Sequence, residues 1–167
     1  LGVSFHHAVA DRLGVRVRRV SLAEFEAAKE LVIGLEEACY EPARQDDFET
    51  LHAIASHPEG VVCFAEDVEG LVGVAFASPL EAWAHITGPD EDVNFGAHNT
   101  LYSADITIDP RARGLGLGHR LRKAIVSAAL NMTREDGHPR FSFVTGRNRV
   151  GEADVMWAVN QRWGAYL

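Results

Sequence analysis

LYSADITIDPRARGLGLGHRL, residues 101–121, is the stretch whose reading decides the fold. Tyr102, Ala104, Ile106 and Ile108 alternate with Ser103, Asp105 and Thr107, the two-residue period of a strand, which predicts these two sets on opposite faces. Pro110 ends the strand, because proline has no N–H to give to a ladder. Arg113, Gly114, Leu115, Gly116, Leu117, Gly118 and His119 then lead into a helix. The three glycines let backbone approach a ligand closely, and a helix starting there turns its first unpaired N–H groups toward it. Such a turn holds an anion readily; the plainer alternative is a glycine turn that only tightens a strand-to-helix junction.

Spacing narrows the anion. A Walker loop needs GxxxxGK followed by Ser or Thr, and no lysine follows these glycines. A dinucleotide fingerprint needs GxGxxG, whereas Gly114, Gly116 and Gly118 are spaced GxGxG and His119 stands where the third glycine belongs. Glu135 does lie about twenty residues on, where that fold carries its ribose-binding acid.

Outward from this stretch, toward the N-terminus, VVCFAE from Val61 and LVGVAFA from Leu71 are separated by Asp67-Val68-Glu69-Gly70, which predicts an antiparallel hairpin. Val15 to Val20 alternates as another strand. Ser21-Leu22-Ala23-Glu24 is a capping box, and Phe25, Ala28, Val32 and Leu35 follow at helical spacing as one helix. Asp46 precedes a second helix with Phe48, Leu51, Ile54 and Ala55 on its apolar face, ending before Pro58. Residues 78–99 keep no period and carry Pro79, Gly88, Pro89 and Gly96; so long a segment is read either as a lid over a substrate or as a disordered insertion. Beyond the glycines, Leu121, Ile125, Ala128 and Met132 predict an amphipathic helix ended by Gly137 and Pro139. A strand from Phe141 to Val144 and a short last helix from Val155 to Trp163 complete the order.

With 167 residues and 47% hydrophobic, the chain is expected to form one domain, 1–167, with a core of its own. It opens on Leu1 rather than methionine, which suits a processed or excised segment. Two cysteines, Cys39 and Cys63, support neither a disulfide framework nor a paired zinc site, and the neighbouring His6 and His7 have poor ligand geometry. No metal is expected, and a reducing cytoplasm is. No apolar run approaches the roughly 18 residues a membrane span needs, and a net charge of −8 argues against nucleic acid as a partner. The charge is also split along the chain: between Arg44 and Arg111 there is no Lys or Arg but thirteen Asp and Glu, while 111–149 carries nine basic residues. One account is plain solubility; the other is that the basic segment meets phosphates and the acidic one draws in a cationic amine.

Arg113, Gly116 and Gly118 match the Arg or Gln, x, x, Gly, x, Gly or Ala pattern of acetyl-CoA binding, and the whole stretch resembles the GNAT superfamily of acetyl-CoA-dependent N-acetyltransferases. A second match lies in Thr145, Asn148, Met156, Asn160, Trp163 and Gly164, and the element order is similar over nearly the whole chain. The resemblance implies an α/β fold: a mixed, mostly antiparallel central sheet flanked by helices, with a splayed strand pair at the CoA cleft. The closing C-terminal hairpin of the family is missing from the sequence, which would leave a sheet edge open to a second copy or a parent chain. It further implies that Ile106, Thr107 and Ile108 bind the pantetheine arm through their main chain. Gly114, Leu115, Gly116, Leu117, Gly118 and His119 would hold the diphosphate, with Arg113 and Asn148 completing the cofactor set.

The catalytic positions depart from the family. Tyr102 stands where many members carry a glutamate base, and Asn160 where many carry a tyrosine acid. A tyrosine is a poor base near neutral pH. Asp105 is then the alternative base if its face lines the cleft. Glu36, Glu37 and Tyr40 fall where the family places substrate contacts, and Ser103, His98 and His138 are further polar groups near the cleft. The implied activity is transfer of an acetyl or other short acyl group from acyl-CoA to a primary amine of a small molecule or aminoacyl substrate. Two alternatives stay open: a GNAT-like decarboxylase or S-acyltransferase acting on a carrier protein, and a CoA-binding module without catalysis.

Overall fold

The computed structural model describes residues 14–147 together with Gln161. The last predicted helix, Asn148, Met156, Asn160, Trp163, Gly164 and the pair His6 and His7 lie outside the described residues. Five strands form one sheet in sequential order: β1 (Arg16–Val20), β2 (Val61–Asp67), β3 (Gly70–Pro79), β4 (Thr100–Ile108) and β5 (Phe143–Thr145). The first four pair antiparallel, and β4 pairs with β5 in parallel.

Among residues 14–147 four α-helices cover the sheet: α1 (Leu22–Ala27), α2 (Lys29–Cys39), α3 (Phe48–Ser56) and α4 (Leu117–Leu130). On one face Phe25, Val32, Leu51 and Phe76 make a core beneath α1, α2 and α3; on the other, Leu101, Leu117, Leu121 and Ile125 make a core beneath α4. β3 is therefore apolar on both faces, as a strand covered from both sides requires.

Local chemistry explains most boundaries. The capping box forms: Glu24 N–H donates to Ser21 Oγ (3.3 Å) and Ser21 N–H to Glu24 Oε2 (2.8 Å). The single first helix expected from the sequence is two, because at Ala28 one N–H is shared between the Glu24 and Phe25 carbonyls, both at 3.1 Å, and the turn tightens. Asp47, not Asp46, caps α3, accepting the Thr50 N–H at 2.7 Å. The hairpin turns at Gly70, with φ of 129°, after Asp67 Oδ1 accepts the N–H groups of Glu69 and Gly70.

α4 stops at Leu130, earlier than Gly137. Asn131 ends it by returning its side-chain amide to the Ser127 carbonyl (2.8 Å), and 132–140 folds back through a Thr133–Pro139 bridge. The strand expected from Phe141 starts at Phe143 instead, since Phe141 is packed into the α4-side core.

Residues 78–99 are neither unpaired insertion nor bare loop. β3 runs to Pro79, and Leu80–Trp83 and Pro89–Glu91 form short 3₁₀ turns. Trp83 Nε1 donates to Ser78 Oγ (2.9 Å), and Glu81 Oε1 accepts the N–H groups of Gly96 (3.2 Å) and His98 (2.9 Å). Arg147 ties the far side to the Thr87 carbonyl.

Candidate active site

Strict alternation along β4 fails at one residue. β3 pairs Phe76 with Asp105 but Ala77 with Ser103, so Ala104 is an extra residue, a β-bulge. The bulge puts Tyr102 and Ala104 on the α1–α3 side together with Asp105 and Thr107, and leaves Ile106 and Ile108 on the α4 side. The sequence reading had Tyr102 and Ala104 sharing a face with Ile106 and Ile108, and the bulge corrects it.

Pairing of β4 with β5 covers Thr100 to Tyr102 and stops at Tyr102–Thr145. Along Ser103 to Ile108 no strand among the described residues pairs with that edge. The carbonyl of Ile108, at its far end, already accepts from Arg113 Nε (3.2 Å) and Cys39 Sγ (3.3 Å). These two bonds fasten the end of α2 and the start of the glycine turn to the same backbone oxygen.

Gly114 and Gly116 both have positive φ, 77° and 76°. Gly116 is the N-cap of α4 and gives it no side-chain cap, so no N-cap side chain satisfies the first-turn N–H groups, at Leu117, Gly118 and His119. Leu117 points its side chain into the core, Gly118 lies over Ile108 at ordinary contact distance, and Leu115 and His119 are half-buried. Arg113 is exposed beside the turn. First-turn amides without an N-cap side chain, two left-handed glycines and an adjacent guanidinium suit a diphosphate. Part of the basic segment, however, is spent on the acidic one: Arg111 pairs with Glu69 and Asp109, and Arg140 with Glu59.

On the opposite face β4 meets the end of α2. Thr107 Oγ1 lies 2.9 Å from Glu36 Oε1, 3.2 Å from Tyr40 Oη and within hydrogen-bond distance of Asp105 Oδ2. Glu36 is 3% exposed, and its Oε2 accepts the Asp46 N–H (3.3 Å). Burial pushes Asp105 up to about 7; the Thr107 hydrogen bond opposes this, and the charges of Glu36 and Asp46 add to it. Burial also raises Glu36, and it raises Tyr40 to about 12. Tyr102 is buried against the Trp83 ring, 5.0 Å between centroids, and burial raises its phenol as well.

Of the groups singled out by sequence, the structure therefore brings Asp105, Thr107, Glu36 and Tyr40 together and sets Tyr102 apart in an aromatic pocket. Glu37 is exposed at the helix surface, His138 is exposed, and His98 pairs with Glu81 at 3.7 Å. What sequence reasoning missed is that Glu36 is a buried member of the site. The signal was there: Val32, Leu35, Glu36 and Cys39 follow one apolar stripe, and a carboxylate on such a stripe needs a partner. Among the described residues no cluster of His, Cys, Asp or Glu is built to hold a metal, and no helix is long and apolar enough to cross a membrane.

No curated protein sequence matches the chain. Among solved structures it is similar to the aminoglycoside N-acetyltransferase AAC(6')-Iy in complex with a bisubstrate analogue, CoA-S-monomethyl-acetylneamine: 16% identity, TM-score 0.65, with 92% of this chain and 91% of that one covered. It is also similar to an aminoglycoside acetyltransferase, meta-AAC0020, from an uncultured soil metagenomic sample in complex with sisomicin, at 18% identity and TM-score 0.58 over 95% and 93% of the two chains. A third likeness is to the GphF GNAT-like decarboxylase with isobutyryl-CoA, at 18% identity and TM-score 0.61 over 87% of this chain and 71% of that one. At these identities the likenesses establish the fold. The family model of the GNAT acetyltransferases matches residues 26–148, from α1 through the glycine turn to the end of β5, and the chain belongs to that family, whose acyl donor is acyl-CoA.

Proposed function

We propose that the protein moves an acetyl or other short acyl group from acyl-CoA to a primary amine of a small molecule or aminoacyl substrate. The observation that carries this reading is Asp105, a carboxyl on the part of β4 beyond its pairing with β5, hydrogen-bonded to Thr107 and raised to about 7. A base is most useful when its pKa lies near the working pH, because it is then both ionised and strong enough to take a proton. Tyr102, at the family's usual position for the base, is raised in the wrong direction for that task. Asp105 takes the role instead.

The remaining residues divide the work. The amides at the start of α4 and Arg113 hold the diphosphate, and the edge of β4 from Ser103 to Ile108, where no described strand pairs, receives the pantetheine arm. Bound there, acyl-CoA supplies a thioester whose carbonyl carbon accepts the amine and whose sulfur leaves. A main-chain N–H near Thr107 or Ile108 would meet the developing oxyanion. The acidic run Asp90, Glu91 and Asp92, together with the absence of any Lys or Arg from 45 to 110, favours an acceptor bearing several amines. Cys39 and Cys63 are both free thiols, the state a reducing cytoplasm keeps.

The test is thiol release from acetyl-CoA. Wild-type protein is expected to release thiol with polyamines or aminoglycosides such as sisomicin, and Asp105→Asn to lose about a hundredfold or more in kcat/KM while still binding CoA by calorimetry. Thiol release with an acylated carrier protein and none with amines would move the assignment to carrier loading. Acyl-CoA decarboxylation without an acceptor would move it to the decarboxylases.

A further inference from the structure

We propose that Glu36 is a positioning residue of the transfer reaction, sharing one proton with Asp105 through the Thr107 hydroxyl and so setting the protonation of the base. This rests on the acyl-transfer reading and deepens it. Counting protons around Thr107 Oγ1 carries the argument. Three oxygens surround it: Asp105 Oδ2, Glu36 Oε1 at 2.9 Å and Tyr40 Oη at 3.2 Å. A threonine hydroxyl has one proton to give, and so has a phenol. When the phenol donates to Oγ1 and Oγ1 donates to one carboxyl, the other carboxyl faces Oγ1 with lone pair against lone pair unless it holds a proton itself.

Besides Thr107, the described residues offer the pair main-chain N–H groups, that of Asp46 to Glu36 and that of Ile106 to Asp105, and no full opposite charge. Facing the pair are Cys39 at the end of α2 and Tyr40 just after it, Asp46 from the segment that follows, and Thr107 from β4 itself; Arg44 sits over the Tyr40 ring, 5.8 Å from its centroid, and Arg113 and Asp109 lie beside Cys39. Among the described residues no cation pairs with either carboxyl. Two carboxyls against one hydroxyl in a buried site do not both ionise readily. The arrangement is satisfied by one proton between them and has room for a second. The resting proton is shared between the two carboxyls, so that each feels the other's charge whenever the other is ionised.

The proton balance then closes. An acceptor arriving as an ammonium gives its first proton to Asp105, and the pair holds two until it returns one to water. The second nitrogen proton goes with the sulfur: the N–C bond forms, the C–S bond breaks, and the products are amide, thiol and one released proton.

The experiment is a carbon-13 carboxyl NMR titration of the full chain without ligand, with Asp105 and Glu36 assigned by Asp105→Asn and Glu36→Gln. The wild type is expected to show two coupled steps. Glu36→Gln should lower the Asp105 midpoint by about one pH unit or more, since the partner's charge is gone. Thr107→Val should raise it, because the hydroxyl that supports the carboxylate is lost, and Thr107→Ser should restore it. Folding of each variant is checked by circular dichroism. The same shifts should appear in the acidic limb of kcat/KM for acetyl-CoA with sisomicin. An Asp105 midpoint unchanged in both Glu36→Gln and Thr107→Val overturns the shared proton even where thiol release is robust. Coupled titration in a protein that neither binds CoA nor releases thiol overturns the role in acyl transfer instead.

Discussion

At Gly116 the chain takes φ of 76°, ψ of 12°, and does so at the residue that begins α4 without a side-chain cap. A β-branched side chain in that region is strained, by roughly 1–2 kcal/mol, and its methyl groups stand where a phosphate would meet the first-turn amides. Gly116→Val is expected to weaken CoA binding about tenfold or more in a calorimetric titration, since ~1–2 kcal/mol corresponds to a factor of roughly 5 to 30. Unchanged affinity would remove the glycine turn from the binding site. The three glycines were legible in the sequence because their reason is local, a backbone conformation and a gap. Glu36 was not legible in the same way. Its meaning depends on Thr107, seventy-one positions away, and only the packing of α2 on β4 makes them neighbours.

Elements were legible wherever their cause lies within a few residues. The capping box at Ser21, the Asp67 turn and the apolar stripes of α3 and α4 each predicted a structure that formed. Ser21→Ala should cost about 1 kcal/mol in chemical denaturation, the usual loss when an N-cap hydroxyl is removed, and leave CoA binding unchanged. A loss in CoA affinity would mean that α1 and α2 transmit more to the cleft than their packing implies. Illegible elements were those shaped by tertiary contact. The bulge at Ala104 has no local marker, since neither glycine nor proline is present; it is imposed by the register of β3. Yet it decides which residues meet, because without it Tyr102 and Asp105 would face opposite sides of the sheet. The 78–99 segment misled for the same reason: its order comes from single anchors, Glu81 and Trp83, rather than from a period.

Across the whole molecule, charge that is divided along the sequence is partly rejoined in space, and the pairs Arg111–Glu69 and Arg140–Glu59 span the two halves. What they leave unmatched is the acid pair beside Thr107, Glu36 buried and Asp105 half-buried, and this has a consequence for stability. Asp105 ordinarily titrates at 3.8 and is raised to about 7 in the fold, with Glu36 raised as well. A group raised in this way favours the folded state below its ordinary pKa and loses that contribution as pH climbs through the folded value. Glu24 acts in the opposite sense: lowered to about 2 by the Ser21 backbone and side-chain hydrogen bonds and by Arg18, its contribution is present above 4.5 and lost only as pH falls toward 2. Between pH 4 and 8, therefore, the falling part of the slope comes from the raised carboxyls, Asp105 and Glu36 together with Asp46 beside them, which burial also raises. Asp105→Asn cannot ionise, so its melting temperature should exceed that of the wild type at pH 8 by several degrees, at about 2–4 °C per kcal/mol, and the two should converge toward pH 4. Scanning calorimetry at pH 4.5, 6 and 8 reads this directly. A difference that is constant across the three would mean that the carboxyl is solvated in the fold, and the base assigned to the transfer reaction would have to be sought elsewhere.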